Sequence, residues 1–182
     1  MKKEKLLPIL KWAAYSLLLV LFYAVQTTPG LFQIFGTKPV WIVSLAVCVA
    51  MFENVMPSAF FAMTAGLLWD ISSDKIFGFN GIVLLVCGMF ISLLCIYYLH
   101  SKLVNSLLFV TVTILFQGML DYLFYYAMWS YDGAWIALVQ NILPTALYTI
   151  AATIPVFLLV RRLERRFATG DEGRAALSLP HH

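Results

Sequence analysis

Apolar residues fill this chain in long unbroken blocks, and polar positions mark where the blocks end. "GIVLLVCGMFISLLCIYYL" (Gly81–Leu99) and "LYTIAATIPVFLLV" (Leu147–Val160) carry no charge and no polar–apolar alternation. The strands of a membrane barrel alternate, so the blocks predict helices. The pattern gives six segments: 9–25, 39–52, 57–69, 79–99, 103–128 and 135–160. Pro39 and Pro57 open the second and third at a favourable first-turn position. Asn80 is placed to cap the fourth, and Pro144 and Pro155 predict kinks in the sixth. Pro29-Gly30 and Gly36 separate the first block from the second. "ENVMP" (Glu53–Pro57) leaves only a tight connection between the second and the third.

Composition fixes the solvent. The 182 residues are 62% hydrophobic and 12% charged, about half the charge of an ordinary soluble domain. A helix of roughly 17–25 apolar residues crosses a hydrocarbon core, so the expected fold is an all-α integral membrane protein of about six transmembrane helices. Residues 1–167 form the membrane domain. Residues 168–182 form a disordered tail in which His181-His182 has the form of a tag remnant. Segments two and three are short. Residues 39–52 make about 21 Å of helix at 1.5 Å per residue, against a core of about 30 Å. They extend through Glu53 and Asn54, thin the bilayer locally, or form a hairpin that enters and leaves on one side; charge counting does not separate these arrangements. The first block follows lysines, as a signal peptide does, but no small-x-small cleavage site comes after it, so it is expected to stay as an uncleaved helix.

Charge then orients the segments. Lys2, Lys3, Lys5, Lys11, Lys102, Arg161, Arg162, Arg165, Arg166 and Arg174 fall on one face of the predicted topology, and only Lys38 and Lys75 on the other. The positive-inside rule puts both termini in the cytoplasm. "RRLERRF" (Arg161–Phe167) is expected to stop transfer and anchor in headgroups.

Candidate chemistry is sparse. Cys48, Cys87 and Cys95 lie inside apolar blocks with no metal-ligand spacing, and His100 stands alone before the tail. No nucleophile has a neighbouring base, and no glycine-rich phosphate loop occurs. No enzyme activity, metal, cofactor or nucleic-acid partner is expected. Three polar patterns remain. Ser58, Ala62, Gly66 and Asp70 recur every four residues and form a stripe that lets a neighbouring backbone approach. Asp70 ends that stripe at a helix C-terminus, where the helix dipole disfavours a carboxylate. It is expected either to bond the first-turn N–H groups of the fourth segment or to contact another protein. Thr113, Gln117, Asp121 and Tyr125 make a second i, i+4 series. Asp121 is costly in hydrocarbon and should face the bundle interior. On the sixth segment Gln140, Asn141, Thr145, Tyr148 and Thr149 are natural partners for that seam.

The stretch "AGLLWD" (Ala65–Asp70), resumed by "IFGFNGIVLL" (Ile76–Leu85) after a short polar loop, resembles the bacterial rod shape-determining protein MreD family. The family's Gly-Leu-Leu-x-Asp element and following glycine correspond to Gly66, Leu67, Leu68, Asp70 and Gly78. The resemblance implies a non-enzymatic membrane scaffold of the cell-elongation machinery in the bacterial inner membrane. The implied partners are an MreC-type bitopic protein, a RodA-type glycosyltransferase with its class B penicillin-binding protein, the MreB filament system, and membrane lipids. It also implies a fold similar to the substrate-binding subunits of energy-coupling-factor transporters. A vitamin-type transporter subunit is therefore the alternative, with the Tyr125–Trp129 region, Asp132 and Trp135 as the place for a ligand pocket. The Ala-x-x-x-Ala coupling motif of those subunits is absent from the first segment, where Leu17 follows Ala13 and Leu18 follows Ala14.

Overall fold

A computed structural model describes residues 2–28, 38–73, 76–99, 102–127 and 143–167. Six α-helices make up those residues: α1 (Lys2–Thr27), α2 (Trp41–Phe52), α3 (Val55–Ile71), α4 (Phe79–Tyr97), α5 (Leu103–Asp121) and α6 (Leu143–Phe167). A π-helical turn, Tyr122–Ala127, continues α5. No strand occurs among the described residues. Four stretches are long and apolar enough to cross a membrane: Pro8–Thr27, Phe79–Tyr97, Leu103–Phe124 and Pro144–Phe167. The chain is a multi-pass α-helical membrane protein, with α2 and α3 as two shorter apolar helices.

The short α2 is the centre of the bundle. Every residue from Ile42 to Met51 is buried. A helix that is apolar all round belongs in a core, and this one is wrapped by α1, α3, α4, α5 and α6. At about 18 Å of helix it does not match a bilayer, but it meets protein rather than lipid. The first-turn N–H groups of such a helix still need acceptors. Thr149 Oγ1 on α6 accepts from Val40 N–H at 3.0 Å, and Gln26 Oε1 on α1 accepts from Ile42 N–H at 3.3 Å. Ser44 and Thr153 hydroxyls bond at 2.9 Å further along the α2–α6 contact.

The outer surface is apolar. Leu17, Phe60, Ile82, Phe90, Val104, Leu108 and Met119 are all exposed, which a soluble protein of this size avoids and a lipid-facing surface requires. α1 is the most peripheral of the described long helices: among its described side chains, Tyr15 and Leu19 are the buried apolar ones.

The element limits revise parts of the sequence pattern. α6 is described from Leu143 onward, so the expected start at 135 lies outside the described residues; Pro155 lies inside the helix. α6 runs on through the arginine cluster to Phe167, past the expected end at 160. The tail 168–182 and residues 128–142 lie outside the described residues.

Candidate functional site

The α3–α4 junction gathers the candidate residues of the first stripe. Ser58, Ala62, Gly66 and Asp70 are all buried on the face of α3 that meets α4. A Cβ on Gly66 would stand 2.5 Å from the Asn80 carbonyl oxygen and 2.6 Å from Gly81 Cα. A Cβ on Gly88 would stand 2.7 Å from Ala62 Cβ. The two backbones therefore pass at a distance only hydrogen side chains allow, and the i, i+4 spacing of small residues is the local cause.

That approach puts Asp70 at the start of α4. Helix α4 opens on Gly78, which has no side chain to cap with and a φ of +93°. Asp70 supplies the missing acceptors. Its Oδ2 accepts from Gly78 N–H at 2.9 Å and from Gly81 N–H at 3.2 Å, and its Oδ1 accepts from Asn80 N–H at 3.2 Å. The dipole objection to a carboxylate at the end of α3 is answered by the positive N-terminal end of α4. The carboxylate is 3% exposed, and both of its oxygens are occupied by backbone donors.

Asn80 carries the arrangement onward. It is not the cap of α4. Its side chain crosses to α5, where Asn80 Oδ1 accepts from Gln117 Nε2 at 2.9 Å, and Gln117 lies 3.4 Å from Asp121 Oδ2. Asn80 and Gln117 are both buried. The two polar patterns of the sequence, on α3 and on α5, thus meet through one asparagine on α4. The expected route from the α5 seam to the sixth segment is different for Gln117, which turns to α4. Thr149 and Thr153 of α6 serve α2 instead, and Thr149 also donates to the Thr145 carbonyl at 2.6 Å. The Tyr125 side chain and Asn141 lie outside the described residues, as do Trp129, Asp132 and Trp135. A shallow open groove lies at this end of the bundle, beside Gln26, Lys38, Trp69 and Ser72.

A second polar cluster closes the opposite end. Lys11 Nζ on α1 pairs with Glu53 Oε1, in the link between α2 and α3, and with Glu164 on α6 at 2.8–3.0 Å. Tyr15 donates to Glu164 Oε2 at 2.9 Å, and Ser92 of α4 donates to the Glu53 carbonyl at 2.8 Å. Burial pushes the Glu53 carboxyl above its ordinary 4.5, with the Lys11 ammonium pulling it back and the Glu164 carboxylate adding to the rise. Sequence reasoning missed this cluster, because "RRLERRF" offers Glu164 four arginines nearby. The available signal was the same as for Asp70: an acid in the last turn of a helix, opposed by the dipole, takes its partner from another element. No protein-family model, curated protein or solved structure matches the chain.

Proposed function

We propose that this chain is a non-enzymatic membrane scaffold of the bacterial cell-elongation machinery, of the MreD kind. The observation that carries this reading is the α3–α4 junction. Gly66, Leu67, Asp70 and Gly78, four of the five residues on which the family resemblance rests, take part in one helix-to-helix joint, while Leu68 packs against the core. Gly66 admits the neighbouring backbone, Leu67 packs over Gly81, Gly78 turns the chain, and Asp70 caps the next helix. A carboxylate whose two oxygens each accept backbone N–H bonds is spent on architecture, so the motif builds a rigid hairpin rather than a reactive group.

In this reading α2 and α3 also cross the inner membrane, giving six spans with both termini in the cytoplasm and a fold like that of the energy-coupling-factor substrate-binding subunits. The scaffold holds an MreC-type bitopic protein, a RodA-type glycosyltransferase and its class B penicillin-binding protein beside the MreB filament system. Affinity purification of the full chain in mild detergent tests it. The bitopic protein and wall synthases should co-purify. Recovery of an ATPase pair and a tightly bound vitamin in their place overturns the scaffold in favour of solute uptake.

A further inference from the structure

α1 is the outlier of the bundle. Only 11% of its apolar window is buried, against 39% for each of the other three long helices. Two buried apolar side chains, Tyr15 and Leu19, hold its middle. Tyr15 sits in an aromatic cluster with Trp12 and Phe61, ring centroids 5.7 and 6.1 Å away. The ends of α1 are held by polar contacts of unequal strength. Among the described residues, one end has a neutral bond from Ile42 N–H to Gln26. The other has the ammonium of Lys11 between two carboxylates from different elements, with the Tyr15 hydroxyl on Glu164. Hydrogen bonds between charged groups are roughly twice as strong as neutral ones, and these are largely shielded from water: the side chains of Lys11, Glu53 and Glu164 are 16%, 11% and 22% exposed.

We infer that Lys11, Glu53 and Glu164 form an ionic latch that fixes the Lys11 end of α1 to the α2–α3 link and to α6, so that neutralising Lys11 lets this end of α1 swing away from the bundle. The contacts pull three elements far apart in sequence to one point; beside them Ile9 and Leu10 are exposed, and Trp12 packs on Phe61. Tyr15 ties the latch to the aromatic cluster, so a moving latch also loosens the packing on Phe61 of α3. With Lys11 neutralised, Leu19, the Phe22–Trp41 ring stack and the Gln26 bond still hold the other half of α1, so the movement hinges there.

The test measures distances by electron paramagnetic resonance in the full chain in nanodiscs, with Cys48, Cys87 and Cys95 replaced by alanine. One spin-label pair, Ile9→Cys with Leu158→Cys, reports the latch end. A second, Thr27→Cys with Leu147→Cys, reports the far end. The parent should give a narrow distribution for each pair. Lys11→Met should broaden and lengthen the first and leave the second unchanged, with the apparent melting temperature lower by roughly 5 °C. Glu164→Gln keeps an acceptor for Tyr15 and should show a smaller change of the same kind, which preserves the test if Lys11→Met folds poorly. Lys11→Arg keeps a cation between the two carboxylates and should retain the narrow distribution. Unchanged latch-end distances in Lys11→Met and Glu164→Gln overturn the latch. So does an equal change at both ends, which marks a general loosening of α1.

Discussion

Asp70 shows how much one side chain can be asked to hold. Three backbone donors end on its two oxygens, and each buried donor left without an acceptor costs about 1–3 kcal/mol. Asp70→Leu should therefore destroy folded yield. Asp70→Asn keeps one acceptor oxygen, which can serve the Gly78 and Gly81 pair but then turns its NH₂ group toward the Asn80 N–H. Its loss should be intermediate, about 1–3 kcal/mol, rather than slight. Gly66→Ala should be as damaging as many larger changes, because its Cβ meets backbone on α4 rather than a side chain that can rotate. Overpacking of this kind costs about 1–3 kcal/mol or more. Gly78→Ala meets no atom, and only the left-handed φ opposes it, at about 1–2 kcal/mol. Thermal unfolding of the purified variants should order them Asp70→Leu worst and Gly78→Ala mildest. A Gly66→Ala protein as stable as the parent contradicts the close backbone contact.

Among the elements, the α2–α3 link is the one whose stability should follow pH. The carboxyl of Glu53 faces Lys11 and Tyr15 on α1 and Glu164 on α6, and burial raises it above 4.5. The folded chain then keeps a proton on Glu53 over a range where the unfolded chain has released it. That contribution is fully present below the ordinary value and is lost as pH rises through the raised one. One carboxyl can hold this proton while Lys11 stays paired with Glu164, so the latch does not open in the process. The parent should lose stability relative to Glu53→Gln as pH climbs from the ordinary 4.5 upward. Melting curves of both proteins across that range check it, and a constant difference between them shows that Glu53 does not titrate there.

For the whole molecule, the expected asymmetry of ten basic residues against two predicts that reporter fusions at Met1 and after Phe167 both report cytoplasm. A periplasmic signal from either would break the six-span proposal while leaving the helical bundle as it stands. The two polar clusters also sit at opposite ends of the bundle: the Lys11 cluster at the start of α3 and the Asp70 cluster at its end. Under the proposed orientation the latch faces the cytoplasm and the capped α3–α4 turn faces the other side.

The sequence by itself determined the solvent, the helical class and the approximate helices, because hydropathy and block length are local quantities that a bilayer reads directly. It also marked Gly66 and Asp70, since small-residue spacing and a carboxylate opposed by its own helix dipole are visible along one segment. Only the tertiary structure decided that α2, the shortest of the six described α-helices, is the core, because in a bilayer a helix that is apolar all round can face lipid or protein alike. Tertiary structure likewise decided that Asn80 joins α4 to Gln117 instead of capping its own helix, and that Glu164 leaves its neighbouring arginines for Lys11, 153 residues away. Each of these partners is chosen by which donors and acceptors end up together out of water, and sequence distance carries no trace of that.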